Sequence, residues 1–162
     1  MKISTKGRYA LRVMVYLAEH YSEKYISIRS ISENENISQK YLEQIVSKLS
    51  KSGLVKSARG AYGGYRLSKE PAKCSIGEIL RTMEGNFLVV NCLDDDTKCT
   101  QKSSCLTHDV WSLIQLAING VVNNLTLGDL LVLKEEKDTK NDLDLDKIMA
   151  SLFTKHYPND KN

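Results

Sequence analysis

Three cysteines and a histidine fall within a 17-residue stretch of this 162-residue chain: Cys92, Cys99, Cys105 and His108. Six residues separate the first pair of thiols, five the second, and two lie between Cys105 and His108. Three thiolates and an imidazole on a loop leading into a helix can converge on one soft-metal centre. Thiolates suit iron–sulfur clusters or zinc, and imidazole suits either. The segment around them, with Asp94-Asp95-Asp96 in a row, is too polar to be a core that merely hides small thiols. Cys74 stands apart and reads as a small buried hydrophobe. Four cysteines are too few for a disulfide framework at this length.

A second group of residues carries a different chemistry. Arg59-Gly60-Ala61-Tyr62-Gly63-Gly64 places a long basic side chain on a tight, unobstructed turn. A guanidinium presented in that way can enter a narrow minor groove. Upstream, Ser38, Gln39, Lys40, Tyr41 and Glu43 surround the apolar anchors Leu42 and Val46 at the start of an expected helix. The major groove admits a helix and is read by such N-terminal residues. Gln39 can pair with adenine and Glu43 can accept from cytosine N4. As a phosphate-cradling nucleotide loop the glycine run fails, because no Lys-Ser or Lys-Thr and no strand-to-helix context follow it.

The elements that must position these residues are legible in order. One helix is expected over 4–22, with Ala10, Met14, Leu17 and Tyr21 as its apolar stripe. A shorter one follows the N-cap Ser27, carrying Ile28 and Ile31 inward, and Asn34-Glu35-Asn36 reads as a turn. The third starts at Ser38, buries Leu42, Ile45, Val46 and Leu49, and stops at Gly53. Residues 54–58 and 65–68 flank the glycine-rich turn as a hairpin. Ser75-Ile76-Gly77-Glu78 is a capping box opening a helix through Met83, closed by Gly85. Residues 86–102 read as a loop. A long helix over 106–124 has an unusually wide apolar arc, with Val110, Leu113, Ala117 and Val121 on one stripe and Trp111, Ile114 and Ile118 beside it. Such an arc implies contact on two sides, with the parent domain and with a second subunit. Thr126–Asp129 starts another helix ending near Glu135, 134–142 is charged and expected to be mobile, and Leu145, Ile148, Met149 and Leu152 recur at helical spacing.

The expected fold class is therefore mainly α: a winged helix-turn-helix with a small two-stranded wing, plus a long C-terminal dimerisation helix. The expected divisions are a DNA-binding domain over 1–85, a cluster-binding loop over 86–105, the dimerisation helix and the helix after it over 106–135, and a tail over 136–162. Charge agrees with this division of labour. Residues 1–70 carry 13 Lys or Arg against 6 Asp or Glu, and 71–162 carry 10 against 14. A basic first half points to a polyanion, most often nucleic acid. Apolar runs such as Leu88–Val90 and Leu130–Leu133 are far too short to cross a bilayer, and Met1–Arg8 has no apolar signal core. A cytoplasmic protein is expected. His20, His108 and His156 have no visible partners for a nucleophilic triad, so an enzyme is not.

Lys6–Arg12, Tyr41–Ile45, Gly53-Leu54-Val55 and Arg59–Tyr65 together resemble the Rrf2 family of bacterial winged-helix regulators, from Met1 to about Glu135. The resemblance implies a homodimer joined through the long helix and a near-palindromic double-stranded DNA operator. Within the family, the three-cysteine loop followed by Leu106-Thr107-His108, together with Asn123–Asp129, resembles the IscR-type iron–sulfur cluster regulators. That branch implies a [2Fe-2S] cluster with Cys92, Cys99 and Cys105 in the cysteine-ligand places and His108 in the fourth. It also implies a repressor of iron–sulfur assembly genes. The first spacing is one residue longer than the usual pattern of that branch. The nitric-oxide-sensing branch resembles the loop too, but completes its cluster with an acidic residue where this chain has Arg8. The cysteine-metabolism branch lacks the three-cysteine loop. From the residues themselves, a structural zinc at the same ligands and a metal-free thiol switch remain open.

Overall fold

Ser4 opens the first helix by accepting the Gly7 N–H on its hydroxyl, the reciprocal of an orphan donor that every helix start leaves. The helix, α1, spans Thr5–Glu19 in the computed structural model, which describes residues 2–86, 88–94, 104–139 and 148–150. Ala10, Val13, Met14 and Leu17 are buried along it. Tyr21, expected on the same stripe, is exposed, because the helix has already ended at Glu19. Helix α2 (Ile28–Glu35) is capped by Ser27 and buries Ile31. The turn expected at Asn34–Asn36 shrinks to Asn36, in the left-handed region at φ 52°. Asn34 and Glu35 stay helical: the Asn34 amide donates to the Ser30 carbonyl, and Arg12 from α1 donates to the otherwise orphaned Glu35 carbonyl at 2.6 Å. Helix α3 (Gln39–Lys51) buries Leu42, Ile45, Val46 and Leu49 as expected, and Gly53 at φ 77° turns the chain out of it.

Strands β1 (Val55–Ala58) and β2 (Gly64–Leu67) pair antiparallel, with Val55 opposite Leu67, Lys56 opposite Arg66 and Ser57 opposite Tyr65. Val55 and Leu67 face the core. On the far side of β2, Ile26 and Tyr65 exchange both backbone hydrogen bonds, at 2.8 and 2.9 Å. Helix α4 (Ile76–Glu84) forms the expected capping box between Ser75 and Glu78. Helix α5 spans Leu106–Asn124, the bounds read from the sequence. The 86–102 segment is not wholly irregular, since Asn91–Leu93 makes a 3-10 turn that packs on α5.

Helix α6 runs over Leu127–Thr139, past the expected end at Glu135. Lys134–Thr139, expected as the start of a mobile charged stretch, is therefore helical, and Lys134 pairs with Glu19 of α1 at 2.7 Å. Residues 140–142 lie outside the described residues. Ile148–Ala150 are helical, where the short C-terminal helix was expected; Leu145 and Leu152 lie outside the described residues. The core gathers the apolar faces of α1, α3 and α4 around Met14, Leu17, Ile45 and Ile79, and Leu127 joins it from α6. Two backbone bonds, Ile76 N–H to Leu125 and Leu127 N–H to Cys74, both 2.9 Å, tie the start of α4 to the α5–α6 junction. The architecture is mainly helical with one two-stranded antiparallel wing: a winged helix-turn-helix.

Candidate nucleic-acid interface and metal centre

The start of α3 presents Ser38, Gln39, Lys40 and Glu43 to solvent. Their freedom follows from the helix's period: Leu42, Ile45, Val46 and Leu49 occupy the opposite face, in the core. Ser38 sits at the N-cap without a side-chain capping bond. Tyr41 is only half exposed. Its ring meets Tyr9 of α1 edge-on, 5.7 Å between centroids, and the Arg12 guanidinium lies 5.6 Å from the Tyr9 ring. At the other end of α3, Lys48 donates to the Met83 carbonyl at 2.8 Å. That carbonyl belongs to the last turn of α4, where a cation is favoured.

In the wing, Arg59 and Gly60 are exposed and Tyr62 is 96% exposed. Gly60 takes φ 105°, and the Gly63 N–H closes the turn on the Gly60 carbonyl at 2.9 Å. Gly63 and Gly64 are half-buried, and each is small for a steric reason. A Cβ on Gly63 would overlap the Ala58 carbonyl, and one on Gly64 the Ile26 carbonyl. The proposed DNA-facing set thus divides. Ser38, Gln39, Lys40, Glu43, Arg59, Gly60 and Tyr62 are free to touch a ligand, while Tyr41, Gly63 and Gly64 shape the elements that carry them.

Cys92 lies in the 3-10 turn and is half-buried; the Val89 N–H just before it donates to the Gln115 side chain of α5 at 2.9 Å. Cys105 is the residue that opens α5. Its sulfur lies 3.1 Å from the Thr107 hydroxyl, and that bond, followed by the backbone N–H of His108, holds its thiol below the ordinary range. A helix N-terminus favours a thiolate in the same way. His108 sits one turn on, its side chain only 13% exposed. Its Nδ1 is 3.4 Å from the Ser112 hydroxyl, while its Nε2 is buried with no partner among the described residues. Cys99 lies outside the described residues. Among those described, no three His, Cys, Asp or Glu side chains make a ready metal cage. An imidazole nitrogen without a partner among the described residues, three residues along from a thiol biased to its anion, nevertheless suits a soft metal. The imidazole nitrogen offers a lone pair with no partner among the described residues, and the thiol a sulfur whose hydrogen bonds favour the anion that soft metals prefer.

Cys74 is buried, and burial first, then Glu78, pushes its thiol up to about 11. It fits the inert role expected of it. Sequence reasoning missed Tyr9, Arg12, Lys48 and Gln115, whose roles depend on partners 23 to 35 residues away. Only the position of Lys48 in the last turn of α3 left any trace in the sequence. No described helix is long and apolar enough to cross a membrane.

Residues 3–132 match the family described as "Rrf2: Iron-dependent Transcriptional regulator". The HTH-type transcriptional regulator CymR of Bacillus subtilis (strain 168) is 44% identical over 130 residues, 80% of this chain and 89% of that protein. The solved structure of CymR, called the global cysteine regulator of B. subtilis, superposes with TM-score 0.68 over 80% of this chain and 95% of that one. The regulator IscR of Vibrio vulnificus (strain YJ016) is 38% identical over 147 residues, 90% of this chain and 87% of its own. The structure of T. potens IscR is 38% identical with TM-score 0.66, covering 86% of this chain and 91% of that one.

Proposed function

This chain belongs to the Rrf2 family of transcription regulators, and we propose that it is a cytoplasmic, homodimeric repressor that senses iron–sulfur status. Its [2Fe-2S] centre is held by Cys92, Cys99, Cys105 and His108, its ligand is a near-palindromic DNA operator, and its targets are iron–sulfur assembly genes. The observation that carries the reading is the buried Nε2 of His108, without a partner among the described residues, three residues past a thiol already biased toward thiolate. When bound, the cluster supplies a labile charge whose presence follows the supply of iron and sulfide.

The remaining steps belong to the chain itself. Thr107 and the start of α5 favour the thiolate of Cys105, and Ser112 orients the His108 ring from the Nδ1 side. Cys92 lies eight residues past Glu84. The Glu84 carboxylate accepts from the Ser4 N–H and hydroxyl at the head of α1, and its neighbour Met83 holds Lys48 of α3. The loop bearing one ligand is thus joined at its root to the helix that faces DNA. Gln39 and Glu43 read base edges, and Arg59 enters the minor groove at the flank.

Anaerobic purification tests the reading. The protein should be brown and carry iron and acid-labile sulfide. Cys92→Ala, Cys99→Ala and Cys105→Ala should each abolish the absorbance, while His108→Cys should keep a cluster of altered potential. Full iron and sulfide in any of the three alanine variants would remove that residue from the site. A second reading, a regulator with structural zinc at the same four ligands or a thiol switch without metal, rests on the similarity to CymR, called a global cysteine regulator, which does not by itself point to a cluster. A colourless protein with stoichiometric zinc, or with no metal, would support it instead.

A further inference from the structure

Lys56 and Arg66 face each other across the wing, on the side away from the core. Like charges directly opposite one another weaken a hairpin, so something must hold Arg66 there. The connection between α1 and α2 does. Arg66 forms an ion pair with Glu23, and its guanidinium lies 5.2 Å from the ring centroid of Tyr25. Beside these contacts Ile26 exchanges both backbone bonds with Tyr65, an approach that the missing Cβ of Gly64 permits. Three successive residues of β2 are therefore clamped to one short connection.

The Ile26–Tyr65 bonds stabilise the wing, but the ion pair adds little to them. Exposed ion pairs contribute little, and the Glu23 side chain is 90% exposed. Arg66 also gives up a bond to make the clamp, since its Nε is buried with no partner among the described residues. An arginine that merely balanced charge would keep that nitrogen in water. What the clamp does fix is direction. The wing's tip turns on Gly60 at φ 105°, with Arg59 and Tyr62 standing in solvent, so its tilt is set where β2 meets the α1–α2 connection.

We propose that Arg66 is a positioning residue for DNA binding: by gripping Glu23 and Tyr25 it sets the tilt at which the wing delivers Arg59 to the duplex. The inference rests on the wing reading above, and the experiment separates the two. The probe is a duplex selected from a random pool by the unaltered full-length protein, titrated at one salt concentration. Arg59→Ala should weaken binding about tenfold, the scale of one lost groove contact. Arg66→Met should weaken it by about as much, retaining discrimination at bases under α3. Its melting temperature should stay close to that of the unaltered protein. Joined to Arg59→Ala, it should cost less than twofold more, because a misaimed wing and a wing without its arginine lose the same contact. The swapped pair Glu23→Arg with Arg66→Glu should regain most of the affinity, and it carries the test if Arg66→Met does not fold. Unchanged affinity in Arg66→Met, a full multiplicative loss in the double variant, or a folded swapped pair without recovery each overturns the positioning role alone. No effect of Arg59→Ala overturns the wing reading, and the positioning role with it.

Discussion

Two thiols of this chain have been driven in opposite directions by their surroundings. Burial raises Cys74 to about 11, while hydrogen bonds from Thr107 and from the head of α5 lower Cys105. For Cys74 the neutral form is the one the fold prefers. Its contribution to stability is therefore complete below the ordinary thiol value of 9.0 and is lost as pH rises through 11. Denaturant midpoints should fall between pH 8 and pH 11 by an amount worth on the order of 2–3 kcal/mol, and Cys74→Val should remove that part of the fall. At the DNA-facing surface, Glu43 is an exposed acid in a helix expected to meet a polyanion. Glu43→Ala should relax specificity: sites without a cytosine amine gain affinity while the best site loses little. Titration against single-base-changed operators checks it, and an equal shift on every sequence would leave Glu43 with general repulsion only. The types and spacing of Cys92, Cys99, Cys105 and His108 make soft-metal chemistry a reading of the sequence alone. The orphaned Nε2 that strengthens the case was invisible, because burial of one ring nitrogen depends on how the loop and α5 pack.

Among the elements, those whose boundaries are written locally were read correctly. The Ser75–Glu78 capping box opens α4, Gly53 ends α3, and α5 begins and ends where its pattern does. Apart from the early end of α1 at Glu19, the differences lie where a distant partner decides. Helix α2 reaches Glu35 because Arg12 from α1 satisfies its last carbonyl, and the Lys134 turn of α6 is held by Glu19. The Ile26–Tyr65 bridge had no signature at all, since nothing near Ile26 in the sequence says which strand it will meet. That bridge makes a prediction at this scale. Gly60→Ala incurs only the strain of a positive φ, as nothing lies within 4 Å of its Cβ position. Gly64→Ala adds overlap with the Ile26 backbone, so it should destabilise by more than the ~1–3 kcal/mol that such backbone strain costs. Urea denaturation of the two variants side by side checks the order, and equal midpoints would show that the wing base can yield.

At the scale of the whole molecule, α5 leaves Leu106, Val110, Leu113 and Leu116 all exposed in the single chain. Surface of that kind calls for a partner, and the proposed dimer supplies one. Leu113→Glu with Leu116→Glu should therefore give a folded monomer in analytical ultracentrifugation, with much weaker operator binding, because two half-sites need two linked recognition helices. A variant that stays dimeric would place the subunit contact elsewhere. The return of α6 onto α1 bears on how the chain is made. Leu127 completes a core that α1 begins, and Lys134 meets Glu19 across 115 positions of sequence. At roughly 5–20 residues per second, a ribosome would leave the face of α1 that receives α6 uncovered for roughly 6–24 s after Glu19 is joined. A nascent chain arrested shortly after residue 85 should accordingly expose apolar surface and engage chaperones, and one arrested after α6 has cleared the exit tunnel should not.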